Sequence, residues 1–251
     1  MIRVNDQLAT TGTYIRGGEQ IVLTIPKIYE RKVESNIPLR VLFEDEHIAV
    51  VNKPAGLLTS GNQKRTLANA LAHNLQPSDL EDAIHPHPAH RLDYETSGIV
   101  LVGKSRSSLA ILCQLFESKE IFKTYFAVTI GEMPAKGEIR TPVKGQSAIS
   151  KYKVLQRVDS ERFGCLNFVK LEPETGRRNQ LREHLKSIGN PILGDKKFGI
   201  QELILKGKGL YLHAFAVRFT HPATHMKIEV CSELPKKYYK IFSPEEALLN
   251  K

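Results

Sequence analysis

The chain has 251 residues, 41% of them hydrophobic and 25% charged, the balance of a folded protein with its own core and not of a disordered or fibrous one. Lys and Arg number 36 against 27 Asp and Glu, a net charge of +9, which favours a polyanionic partner, nucleic acid above all. Three scattered cysteines, Cys113, Cys165 and Cys231, argue against a disulfide framework or a zinc ribbon. No run approaches the ~20 apolar residues of a membrane span, and no apolar stretch of signal-peptide length opens the chain, so no membrane partner and a cytoplasmic setting are expected.

Residues 1 to 25 read as short strands, Ile2 and Val4 and then Ile21, Val22 and Leu23, around a Gly17-Gly18 turn. Residues 26–38 are polar and charged and read as a linker. From Leu39 onward the pattern changes: residues 41–43 and 47–51 are two β-rich runs split by Glu44-Asp45-Glu46, and Lys53-Pro54-Ala55-Gly56 ends the second. Leu67, Leu71 and Leu75 recur at helical spacing, as do Leu109, Leu112 and Phe116. Residues 98–102 and 121–130 read as strands, followed by strand-like runs at 149–158, 165–171, 210–219 and 226–230. A helix is expected between Arg178 and Lys186, ending at Gly189. Helices separated by several adjacent strands predict an α+β fold, a mixed and largely antiparallel sheet with flanking helices and a central cleft. The expected division is a small segment of residues 1–30 and a catalytic domain of residues 31–251.

The densest chemistry lies in residues 85–98, which hold His85, His87, His90, Arg91, Asp93, Glu95, Thr96 and Ser97 just before a buried strand. This reads as a loop on a rigid support, where functional groups gather. Taken singly, each residue has an ordinary structural reading: a turn, a cap or a core histidine. In the helix near Arg178, Arg178 and Arg182 are four apart and fall on one face, beside an apolar stripe of Leu181 and Leu185.

Taken together, the run His90-Arg91-Leu92-Asp93-Tyr94-Glu95-Thr96-Ser97-Gly98 resembles the H-R-L-D-x-x-T-S-G signature of the RluA-type pseudouridine synthases. Asn52-Lys53-Pro54-Ala55-Gly56 resembles that family's N-K-P-x-G segment, and Lys123-Thr124-Tyr125-Phe126-Ala127 its K-x-Y-x-A strand. Residues 175–185 resemble T-G-R-T-H-Q-I-R-x-H-L, with Arg178-Asn179 in place of Thr-His and Glu183 in place of a small apolar residue. Leu212-His213-Ala214 and Thr220-His221-Pro222 resemble its closing elements. The resemblance covers roughly residues 39–240. At the other end, Val4-Asn5-Asp6 with Gly17-Gly18-Glu19-Gln20-Ile21 is similar to the second half of an S4 RNA-binding domain; a plain β extension remains the other reading.

The resemblance implies isomerisation of uridine in structured RNA, ribosomal or transfer, on a flipped-out nucleotide. It implies Asp93 as the catalytic carboxylate, either as nucleophile or as the base of a glycal route. It assigns Arg182 to hold that carboxylate's charge, and Tyr125 to stack on uracil and take the C5 proton. The same motifs offer His90, Arg91, Lys53, Thr96, Arg177, Arg178 and Gln180 as substrate- or RNA-binding residues. No redox step or activated water is involved, so neither a cofactor nor a metal is implied, and the enzyme is expected to be monomeric. Two other classes share part of the pattern: an RNA-binding protein without catalysis, and a metallohydrolase suggested by His85-x-His87-x-x-His90, in which Ala89 stands where such a site needs an aspartate.

Overall fold

The computed structural model describes residues 2–24, 35–205 and 207–244. The chain divides into two compact units, residues 1–34 and 35–251. The expected boundary at residue 30, and most of the expected linker, lie outside the described residues.

The first unit is a three-stranded antiparallel sheet in the order β2-β1-β3, with β1 Ile2–Val4, β2 Gln7–Leu8 and β3 Ile21–Leu23. Val4 pairs with Gln7, so the β1–β2 connection is the two-residue turn Asn5-Asp6. Both turn residues have positive φ, 46° and 63°, the hairpin geometry that Asn and Asp tolerate best after glycine. The Glu19 carboxylate closes the Gly17-Gly18 turn by accepting from the backbone N–H of Arg16 at 2.9 Å and Gly17 at 2.8 Å.

The second unit is α+β, as expected. Its strands are β4 Arg40–Glu44, β5 Ile48–Lys53, β6 Ala83–Pro88, β7 Ser97–Ser105, β8 Phe122–Ile130, β9 Lys136–Ile139, β10 Ser150–Ser160, β11 Gly164–Pro173, β12 Leu212–Thr220 and β13 Lys227–Cys231, and its helices are α1 Leu67–Asn74, α2 Arg106–Glu117 and α3 Gln180–Ser187. The sheet runs β4-β5-β7-β12-β8-β11-β10-β9, with β13 on β12 and β6 on β7. Among the described pairs of strands only β7–β12 is parallel.

Burial on both faces explains the composition of the central strands. Ile48, Val50, Ile99 and Leu101 pack with Leu112 of α2 on one side, while Ala49, Val51, Val100 and Val102 pack with Leu67 and Leu71 of α1 on the other. These alternating sets follow the two-residue period of a strand. Thr66 caps α1 and Ser105 caps α2, each side-chain oxygen accepting from a backbone N–H at 3.1 Å. Truncating fully buried Leu112 to Ala would cost about 2–5 kcal/mol. The other half of the sheet encloses a third cluster built on Phe126, Phe168, Leu171 and Tyr238, against which Leu181 and Leu185 of α3 pack. Tyr125 touches both this cluster and that of α1, so it stands where the two halves meet.

The halves join through a short parallel ladder, His213 to Ser97 and Ala214 to Gly98. Gly98 has φ +119°, and a Cβ there would lie 2.2 Å from the carbonyl oxygen of Ala214. Only glycine lets β12 approach the start of β7 this closely.

Two local expectations are corrected. Residues 85–98 are not one loop: His85 and His87 lie in β6, with His87 opposite Gly103 and Pro88 opposite Val102 of β7, and only residues 89–96 lie between the strands, with the turn that bears Asp93 at 91–96. The prolines at 86 and 88 suit a strand whose outer edge carries no ladder. Arg178 is not helical. Asn179 takes a left-handed conformation, φ 61°, and α3 begins at Gln180, so Arg178 and Arg182 do not share a helix face.

Candidate active site

The turn of residues 91–96 is fixed from several directions. Leu92 is buried against α1, and the Thr59 hydroxyl brackets it, donating to its carbonyl at 3.0 Å and accepting from its N–H at 3.1 Å. The Thr96 N–H donates to the Asp93 carbonyl at 3.1 Å, closing the turn, and Gly56 N–H donates to the Tyr94 carbonyl at 2.8 Å. Lys53 is fully buried, and its ammonium donates to the carbonyls of Leu57 at 2.8 Å, Pro54 at 3.0 Å and Tyr94 at 3.4 Å. An ammonium has three N–H donors, so all are spent on backbone. Burial pushes Lys53 down to about 8, an effect that the nearby Asp93 carboxylate opposes. Lys53 therefore braces the turn and does not face solvent.

With its neighbours anchored, Asp93 faces a pocket of about 100 Å³. Eight of the ten expected site residues line it: Arg91, Asp93, Thr96, Tyr125, Arg177, Arg178, Gln180 and Arg182. Lys53 and His90 do not. The His90 ring is turned into the protein, Nε2 accepting from the Leu101 N–H at 3.0 Å and the ring lying 4.5 Å from that of Phe116. Burial pushes this imidazole down to about 3, so it is a neutral brace for β7.

Arg182, 4% exposed, reaches the pocket from α3. Its Nε and Nη2 each donate to Asp195 at 2.7 Å, Nη2 also donates to Glu95 at 2.8 Å, and Nη1 lies 3.9 Å from Asp93. Its guanidinium lies 5.2 Å from the Phe198 ring centre. Burial works to raise the Asp195 carboxyl, but the Arg182 hydrogen bonds and the backbone N–H groups of Phe198 and Lys197 outweigh it and hold it below the usual value. The Asn179 carboxamide lies against Asp93, and the amide orientation that satisfies both of its ends has its nitrogen donating to Oδ2 at 3.0 Å and Oδ1 at 3.2 Å.

Tyr125 is half-buried on β8, and burial, with Asp93 adding to it, holds its phenol well above the ordinary value. The hydroxyl thus carries its proton at neutral pH. Lys123, two residues earlier on the same strand face, also lines the pocket, and burial lowers it. Gln180 is fully engaged: its amide donates to the Ile149 carbonyl at 3.0 Å and the Ser150 hydroxyl at 2.9 Å, and its oxygen accepts from the Thr175 hydroxyl at 2.7 Å and the Arg177 N–H at 2.9 Å. It holds the 175–177 turn in place. Arg91, Arg177 and Arg178 are exposed at the rim. Thr96 is 2% exposed, and its hydroxyl has no hydrogen-bond partner among the described residues. No group of three His, Cys, Asp or Glu among the described residues could hold a metal, and His85, His87 and His90 do not converge on one.

This arrangement places one carboxylate beside a buried cation, against an aromatic ring and under a rim of arginines. Residues 47–187 match the model of the RNA pseudouridylate synthase family. The chain belongs to that family. The synthase isomerises uridine in RNA to pseudouridine. It is 34% identical to an uncharacterized RNA pseudouridine synthase of Bacillus subtilis, over 89% of this chain and 78% of that one. It is 32% identical to ribosomal large subunit pseudouridine synthase C of Rickettsia felis, over 93% of this chain and 85% of that one. The fold matches that of the human RNA pseudouridylate synthase domain-containing protein 4, with a TM-score of 0.64 and 24% identity over 79% of the synthase and 90% of the human chain.

Five residues around the synthase's pocket were missed by sequence reasoning: Asn179, Asp195, Glu95, Lys123 and Thr59. A signal existed for one of them. An arginine buried in a helix of this kind requires a buried carboxylate, and Gly194-Asp195 follows α3 closely enough to supply it. Glu95 and Lys123 sat within the recognised motifs with nothing in their spacing to mark them, and Thr59 acts from a separate loop.

Proposed function

We propose that Asp93 is the catalytic carboxylate and that the substrate is a uridine in ribosomal RNA of the large subunit, acted on in the cytoplasm. The observation that carries this reading is the convergence of Asp93, Tyr125 and Arg182, from three separate elements, on one pocket. Isomerisation breaks the N-glycosidic bond, turns the uracil, and joins C5 to the ribose, so an anion must sit beside the sugar throughout. Asp93 serves either as the nucleophile at the ribose carbon or as the base of a glycal route. Arg182, itself locked by Asp195, lends positive charge through a loose ion pair at 3.9 Å, too long for a hydrogen bond to the carboxylate.

The Tyr125 ring supports the uracil by stacking. Because its phenol is held protonated, it can accept the C5 proton only in step with passing its own to an acceptor, which is solvent or the Asp93 carboxylate once C5 has joined the ribose. The target uridine leaves its stack to reach the pocket, at a cost of a few kcal/mol. Arg91, Arg177 and Arg178 at the rim bind the phosphates on either side of it. Lys53, His90 and Gln180 act by bracing the turns and not by touching RNA. Residues 1–34 form a separate module that adds RNA contacts.

The ribosomal assignment rests on relatives named ribosomal large subunit pseudouridine synthases, from Rickettsia felis and Pseudomonas aeruginosa. Incubating the purified enzyme with unmodified large-subunit ribosomal RNA and with transfer RNA transcripts, each labelled with tritium at uridine C5, tests it. Release of tritium from the ribosomal transcript alone is expected. Release from transfer RNA alone would reject the substrate while leaving the chemistry intact.

A further inference from the structure

We propose that Asn179 is a positioning residue for the reaction, its carboxamide holding the Asp93 carboxylate in the orientation that meets the flipped nucleotide. The proposal rests on Asp93 being the catalytic carboxylate. Asn179 occupies the N-cap of α3, where an asparagine normally turns its side chain back to accept from a backbone N–H of the first helical turn. Here it makes no such bond. Its side chain crosses instead to the β6–β7 turn and shares N–H donation between both oxygens of Asp93, at 3.0 and 3.2 Å.

Arg182 cannot do this work. Its two shortest bonds go to Asp195 and its third to Glu95, which leaves it 3.9 Å from Asp93, beyond hydrogen-bond reach. Among the described residues, Asn179 is the hydrogen-bond donor to the Asp93 side chain. The backbone makes the reach possible. Asn179 has φ 61° and ψ 16°, a left-handed conformation that asparagine accepts more readily than other side chains with a Cβ. It is 9% exposed, so water competes little for the carboxamide. The donor is also a neutral amide that does not itself titrate.

Two substitutions separate this role from backbone shape. Asn179→Gly keeps the left-handed conformation without strain and removes the amide. Asn179→Asp keeps the side-chain shape and replaces the donor with a second carboxylate about 3 Å from the first. Each variant is checked for wild-type circular dichroism. Both are then assayed by tritium release from C5-labelled large-subunit ribosomal RNA in single turnover at saturating enzyme, alongside wild type and Asp93→Asn.

The Gly variant is expected to lose about tenfold to a hundredfold in the saturated rate, the size of one hydrogen bond to a charged group, with RNA affinity within about twofold. The Asp variant is expected to lose more at pH 8 and to recover part of its rate as the pH is lowered and the two carboxylates come to share a proton. A Gly variant with the wild-type saturated rate, or one whose whole loss lies in affinity, overturns the proposal, and that result stands even where the Asp variant does not fold. An Asp variant as fast as wild type at pH 8 overturns it too. Asp93→Asn keeps the two levels apart. If it is inactive while Asn179→Gly is unimpaired, only the positioning role falls; if it turns over, the underlying reading falls with it.

Discussion

Arg182 gives its two shortest contacts to Asp195, both at 2.7 Å, and meets Asp93 only at 3.9 Å. The side chains of Arg182 and Asp195 are 5% and 1% exposed, so this pair is buried, and Asp195 sits outside every motif that identified the site. A buried pair of this kind holds a charge in place more than it stabilises the fold, but removing one partner strands the other.

Asp195→Ala is therefore expected to destabilise the second unit by about 3–5 kcal/mol, measured by urea unfolding. The saturated turnover rate should fall as well, because a guanidinium freed from Asp195 can close on Asp93 and occupy it. A loss below about 1 kcal/mol would mean that Glu95 alone suffices to hold the cation.

Lys53 and Arg178 should respond in opposite ways. Lys53→Met removes hydrogen bonds to the carbonyls of Pro54 and Leu57 and the one, at 3.4 Å, that ties this segment to Tyr94 in the turn bearing Asp93. Turnover should fall while RNA affinity and its salt dependence stay near wild type. Arg178 is exposed at the rim, so Arg178→Ala should weaken RNA binding and make the slope of log affinity against log salt shallower by about one, the value for one lost phosphate contact. Filter binding across a salt series measures both, and an altered slope in the Lys53 variant would return that residue to the RNA interface.

Acid should destabilise the fold through His213. Its ring lies between the hydroxyls of Ser97 at 2.8 Å and Ser232 at 2.7 Å, and burial, helped by nearby Lys237, pushes it from 6.5 down to about 4. In the unfolded chain the ring gains a proton as the pH falls through 6.5, while the folded ring stays neutral until about 4, so stability is lost across that window. Between pH 7.5 and 5 the loss due to His213 is about 2 kcal/mol. His213→Gln should flatten the pH dependence of unfolding stability, measured in urea, by that amount, and an unchanged pH dependence would show that the buried ring takes up a proton as readily as the unfolded one.

Removal of residues 1–34 should weaken RNA binding and leave the saturated single-turnover rate close to wild type. The eight expected residues that line the pocket all lie in the second unit, and a tethered module changes affinity without touching chemistry. A collapsed saturated rate would make the first unit part of the catalytic apparatus.

How much of this was legible in the sequence differs by level. The strands and helices of the second unit follow from two-residue and helical periodicity because most are buried on a defined face; Leu67 and Leu71 of α1 and Leu112 of α2 are examples. β6 was missed because its two prolines argue against a central strand, and only its pairing with β7 makes an edge position visible. Asp93, Tyr125 and Arg182 were reached through motifs, but their partners were not. Asp195 is thirteen residues from Arg182, close enough that the demand of a buried arginine for a carboxylate points to it, whereas Glu95 is eighty-seven away, a separation at which no local pattern speaks. Lys53, His90 and Gln180 were found for the right neighbourhood, but a sequence shows that a polar residue is present and not whether its donors are already spent. The left-handed turn at Asn179 had the same effect on Arg178, which shares its motif with Arg182 but not its helix.

The most direct measurement is tritium release by Asp93→Asn from C5-labelled large-subunit ribosomal RNA, in single turnover with enzyme in excess and with RNA binding measured in parallel. The amide keeps the shape of the side chain but cannot act as an anionic nucleophile or base. RNA binding close to wild type with no release above background is the predicted result; clear release with a normal product would place the essential carboxylate elsewhere.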